Sequence, residues 1–159
     1  MTNHSFFEQV HPVYKISLAD LVEDKRLLNQ DGSVNVVRLT EYSNEELEKF
    51  LLYTISWLEI IGFKKATLKS VFLKKEAEYD AERAELFIKK KSSLEKKVTV
   101  KELESEVEAD PVLLEKRKKL VEYESYLEYL DNLQNVIELL HYTVKTIIND
   151  RSSMWRATS

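Results

Sequence analysis

The sequence predicts an all-α protein in which two long helices form an antiparallel helical hairpin or coiled coil, preceded by a short, less regular N-terminal segment. Three observations lead there. Two glycines and two prolines in 159 residues leave few places to turn. A third of the residues are charged, among many Glu, Lys and Leu, which is the composition of long helices. Between Tyr123 and Ile147, apolar residues recur at alternating spacings of three and four, a heptad seam.

The elements follow in order. The stretch SLADLVEDKRLL reads as a short helix with Ser17 as N-cap and Asp20 in its first turn, and QDGSVNVVRL as a turn followed by an extended segment at Val34–Leu39. Ser43-Asn44-Glu45-Glu46 is a capping box, because the serine oxygen meets an orphan amide while Glu46 reaches back. It opens a first arm over 44–91. In that arm Leu51, Ile55 and Leu58, with Trp57 and Ile61 alongside, make a wide apolar face. Gly62 either kinks the arm or ends it. After it, Leu73, Ala77, Ala81, Ala84 and Ile88 form a stripe of mostly small residues that admits close approach of another helix. The polar residues 92–98 read as a loop, and Thr99-Val100-Lys101-Glu102 as a second capping box opening a short helix. Asp110-Pro111 sets an N-cap before a proline at the first helical position, which starts a second arm over 111–149. The expected organisation is an irregular segment 1–42, a hairpin domain 43–151 and a tail 152–159.

The seam residues Tyr126, Leu130, Leu133, Ile137, Leu140, Val144 and Ile147 must be covered by a helix of the same chain or by another copy. Tyr129, Val136, Leu139 and Ile148 lie off the stripe and widen it beyond one partner helix. The surplus predicts self-association, with the seven seam residues as its candidates.

Catalysis finds little support. His4, His11 and His141 are scattered, none four residues from another histidine, and there is no glycine-rich phosphate loop or nucleophile elbow. No catalytic residue, metal site or cofactor is expected. The absence of cysteine rules out a disulfide framework and thiolate metal ligation. No uncharged run is long enough to cross a bilayer, and MTNHSFFEQVHP lacks the basic start and apolar core of a signal peptide. A soluble, cytoplasmic protein without a membrane partner is the expectation.

Charge is uneven. Residues 1–61 carry 5 basic and 10 acidic side chains, 62–101 carry 12 and 6, and 102–159 carry 7 and 12, which gives −5, +6 and −5. In the cationic third, Lys64, Lys65, Lys69, Lys74, Lys75, Lys89, Lys90, Lys91, Lys96 and Lys97 interleave with Phe63, Phe72, Tyr79 and Phe87. Cations that neutralise phosphates and aromatic faces that stack on bases are the two ingredients of sequence-tolerant single-strand binding. The bland reading stands beside it: lysine-rich helix faces are usually solvated and paired to nearby glutamates, and helical aromatics are usually core. A second basic cluster, Lys116 to Lys119, carries the same two readings.

The order of these features resembles UvsY-type recombination mediators of bacteriophages. The stretches that carry the resemblance are LLYTISWLEIIGFKKATL, the charged EAEYDAERAELFI, a polar loop, the restart EADPVLLEKRKKL and a seamed last helix ending in TIINDRSSMW, roughly residues 45–156. The resemblance implies a small non-enzymatic helical protein that forms rings through its C-terminal helices and binds single-stranded DNA. It implies that the protein helps a RecA-type recombinase displace single-strand-binding protein, in the host cytoplasm. The family's basic motif falls at about Tyr79–Leu86, where this chain has Asp80, Glu82 and Glu85 and only Arg83 is basic. The flanking lysines at 64–75 and 89–97 are therefore the DNA-binding candidates together with Arg83. A coiled-coil scaffold or assembly chaperone, its lysines only solubilising, is the alternative.

Overall fold

The computed structural model describes residues 7–93 and 98–157. The chain is mostly helical. A 3-10 turn at Pro12–Tyr14 leads to α1 (Leu18–Leu21), a second 3-10 turn at Lys25–Leu27, α2 (Val36–Leu39), α3 (Asn44–Ser93), α4 (Val100–Glu108) and α5 (Pro111–Ala157). Among the described residues the only strand-like pairing is an isolated bridge between Leu28 and Val34.

Local chemistry sets each start. Ser17 and Asp20 close a capping box on α1, Ser17 N–H donating to Asp20 Oδ2 at 2.7 Å. Glu46 Oε2 accepts from Ser43 N–H at 2.8 Å, and Ser43 Oγ accepts from Glu46 N–H at 3.2 Å, which opens α3. Thr99 and Glu102 repeat the arrangement on α4, and Asp110 Oδ1 accepts from the amides of Val112 and Leu113 at the head of α5. The cap amides also hold the Glu46 and Glu102 carboxyls below the ordinary range.

Four sequence expectations are corrected. The extended segment at Val34–Leu39 is extended only at its start, since the Asn35 side chain caps Arg38 N–H and coils Val36–Leu39 into α2. Local capping outweighs the strand preference of two valines. Gly62 does not end α3, which runs unbroken from Asn44 to Ser93. The second arm passes Asn149 and continues to Ala157, so most of the expected tail is helix. The stripe of small residues is not buried against a neighbouring helix: Leu73, Ala77, Ala81, Ala84 and Ile88 are all exposed, and only Ala84 and Ile88 line a cleft that α4 shares through Glu104 and Val107. The loop expected at 92–98 falls largely on 94–97, outside the described residues.

α3 and α5 pack along their length. Arg151 reaches Asn44 Oδ1 at 3.1 Å, His141 meets Thr54, Asp131 pairs with Lys65, the Lys75 ammonium sits over the Tyr123 ring, and Lys116 pairs with Glu82. Leu47, Phe50, Thr54, Trp57, Ile61 and Leu68 of α3 are buried against Tyr126, Leu130, Ile137, Leu140 and Val144 of α5. The N-terminal segment supplies a third layer. Val10, Ile16, Leu18, Leu21, Val22, Leu27 and Leu39 belong to the same core. Ile16 N–H donates to the Tyr126 hydroxyl at 2.8 Å, and the Arg151 guanidinium donates to Thr40 O and Tyr42 O at 2.6 and 2.7 Å. Beyond Leu68, α3 has no buried residue. There its neighbours are the first turns of α5 and the short α4, anchored by Leu103, Val107 and Leu113.

Candidate functional site

The expected DNA-binding cations divide by what they touch. Lys64 Nζ donates to Val13 O at 2.6 Å, Lys65 pairs with Asp131, Lys75 covers Tyr123, Arg83 pairs with Glu108 at 3.1 Å, and Lys90 donates to Glu106 O at 3.2 Å. These five tie α3 to its neighbours. Lys69, Lys74, Lys89 and Lys91 have no side-chain partner among the described residues, while Lys96 and Lys97 lie outside them. A helix turns about 100° per residue, so Lys69 and Lys74 point roughly 140° apart and Lys89 and Lys91 roughly 160° apart. The unpaired lysines of α3 therefore do not share one face. In the second basic cluster Lys116 is paired to Glu82, and Arg117, Lys118 and Lys119 carry no ion pair among the described residues.

The aromatics divide as sharply. Phe72 packs against the core, and Tyr79 and Phe87 are half-buried. Phe63 is 74% exposed.

The seam answers its own question within the chain. Tyr126, Leu130, Leu133, Ile137, Leu140 and Val144 are all buried, and Ile147 is half-buried against the same core. Within the single chain, the N-terminal segment and α3 occupy the face they line. Of the residues that widen the seam, Tyr129 and Ile148 are partly buried against that core, whereas Val136 and Leu139 are exposed.

Two interactions escaped sequence reasoning. Thr54 is fully buried, and its hydroxyl donates to Leu51 O at 2.7 Å and lies 2.9 Å from His141 Nδ1. The hydroxyl bridges the Leu51 carbonyl and the His141 ring. His141 is thus a packing residue that meets a buried hydroxyl of α3. Its signal was present: Thr54 falls between Phe50 and Trp57 at core spacing. The second is a cleft of about 190 Å³ lined by Asp24, Arg26, Tyr42, Lys49, Tyr53 and Trp57, among others. The Arg26 guanidinium, and then the Tyr42 hydroxyl, hold the Asp24 carboxyl well below the usual carboxylate range. Burial, and then Asp24, push Tyr42 up to about 12. Asp24 is a spent anion and Tyr42 a neutral donor at pH 7, so the pair cannot exchange a proton there.

Among the described residues no group of three or more His, Cys, Asp or Glu is placed to hold a metal ion, and no helix is long and apolar enough to cross a membrane. Comparisons with protein-family models, curated proteins and solved structures found no match to the chain.

Proposed function

We propose that the protein is a single-stranded-DNA-binding recombination mediator that promotes loading of a RecA-type recombinase onto DNA coated with single-strand-binding protein. It acts as a non-enzymatic homo-oligomer built on an antiparallel helical hairpin. The hairpin reading is supported by the order of contacts, which descend along α5 from Arg151 to Lys116 as they ascend along α3 from Asn44 to Glu82. The order of helix starts in the resemblance also falls where the chain's capping residues lie.

One observation carries the DNA reading: Lys69, Lys74, Lys89 and Lys91 stand without partners among the described residues, on a helix whose other cations are engaged. The test is binding of fluorescent oligo(dT) across a salt series, with the quadruple Lys→Glu variant at these positions as comparison. Counterion release demands a steep linear fall of log K with log salt, and the variant is expected to bind at least tenfold more weakly with a flatter slope. No binding by the parent protein at low salt overturns the reading.

A scaffold or assembly protein is the second reading. It is favoured by the exposed Val136 and Leu139 of α5. Light scattering that gives a large assembly indifferent to DNA and to salt selects it.

A further inference from the structure

The acid-free stretch of α3 stands apart from the rest of the surface. Between Glu59 and Glu76 the sequence IIGFKKATLKSVFLKK holds five lysines and no carboxylate. Asp131, on α5, answers only Lys65. Phe63 lies in this stretch, 74% exposed, beside Val13 at 58% and Ile60 at 40%. With Tyr14, Lys64 and Thr67 they line an open cleft of about 530 Å³ between α3 and the 3-10 turn at Pro12–Tyr14, with Glu59 as its one carboxylate. Lys64 is held over the cleft by one hydrogen bond to Val13 O, which leaves two of its three ammonium donors available.

Resting on the DNA reading above, we infer that Phe63 is a stacking platform for a base of single-stranded nucleic acid, with Lys64 and Lys74 taking the phosphates on either side. Phe63, Thr67, Ser70 and Lys74 follow at spacings of four, three and four and so share the outer face of α3. Phe63 and Lys74 are about 16 Å apart along the axis, the length of a few nucleotides. An exposed aromatic ring flanked by cations and free of acidic neighbours on one side matches both demands of such a strand. Base stacking is tolerant of sequence because every base has a π-face. Phe72 plays no such part, since its ring packs against the core, and Tyr79 and Phe87 are half-buried.

The experiment compares the parent protein with Phe63→Ala and Phe63→Tyr, titrated with oligo(dT) and with an abasic oligonucleotide of the same length and charge, at one salt concentration. The parent is expected to prefer the oligo(dT). Phe63→Ala should bind oligo(dT) about five- to a hundredfold more weakly and lose that preference, while Phe63→Tyr keeps it. Helicity is expected to be equal in all three, because the ring is exposed. A parent protein that binds neither oligonucleotide sinks the mediator reading and this inference together. A parent that binds oligo(dT) while Phe63→Ala binds it equally well overturns the inference alone. A change in assembly size without a change in DNA affinity also overturns it, and assigns the Phe63 surface to a second protein.

Discussion

The two halves of the long helical pair share helices but not a core. Around Leu47–Leu68 and Tyr123–Val144, three layers meet: α3, α5 and the N-terminal segment bury one continuous apolar cluster. Around 73–93, α3 has among the described residues only α4 and the first turns of α5 for company, and nothing on it is buried. Two helices side by side cannot cover more than a narrow stripe of each other, so a third layer decides where burial occurs. In the thin half two cations of α3 form intrachain pairs, Arg83 to Glu108 and Lys90 to Glu106, that substitute weakly for a core.

The sharpest way to break this comparison is a matched pair of truncations. Leu130, fully buried, is expected to cost about 2–5 kcal/mol on replacement by alanine, while half-buried Leu86 should cost about 1 kcal/mol or less. Urea denaturation followed by circular dichroism reads both, and equal losses would mean that the thin half is as well packed as the thick one.

A smaller effect tests the third layer itself. Tyr126→Phe removes the acceptor for the buried Ile16 amide and is expected to cost about 1–3 kcal/mol, seen as a lower denaturation midpoint. Burial raises the Tyr126 hydroxyl to about 12. The unfolded chain therefore loses this proton more readily than the folded one, and stability should hold below pH 10 and fall between pH 10 and about 12. The same fall is expected to be shallower in Tyr126→Phe, with Tyr42 still contributing in the same direction.

The smallest change expected is a gain. A Cβ at Gly62 would meet nothing within 4 Å, and the helix runs straight through it. Gly62→Ala should stabilise the protein by about 0.5–1 kcal/mol. A loss instead would mean that α3 needs the freedom of a glycine there.

The helices were legible because their signals are local. Ser43, Thr99 and Asp110 mark starts that depend on side chains only two or three residues away. The seam was legible as a pattern but not by its partner, since periodicity says that a face is covered and never by what. The missing term was the N-terminal segment. Its Val10, Ile16, Val22 and Leu39 are spread among short turns with no period, yet all are buried. The same blindness affected the lysines: the sequence lists them together, while whether Lys65 or Lys69 finds an acid depends on which α5 residue lies opposite. The exposure of Phe63 and the burial of Phe72 likewise follow from helix phase against the N-terminal layer, a tertiary fact.

The length of α3 has a hydrodynamic consequence. Its 50 residues span about 75 Å at the helical rise. A compact chain of 159 residues has an expected radius of gyration of about 15 Å. A uniform rod as long as α3 has one of roughly 22 Å. The single chain should therefore diffuse slowly for its mass and leave a sizing column ahead of globular standards, with the apparent weight of a small oligomer. Its translational friction comes from elongation, so scattered light intensity, which weighs the particle whatever its outline, will separate one rod from several.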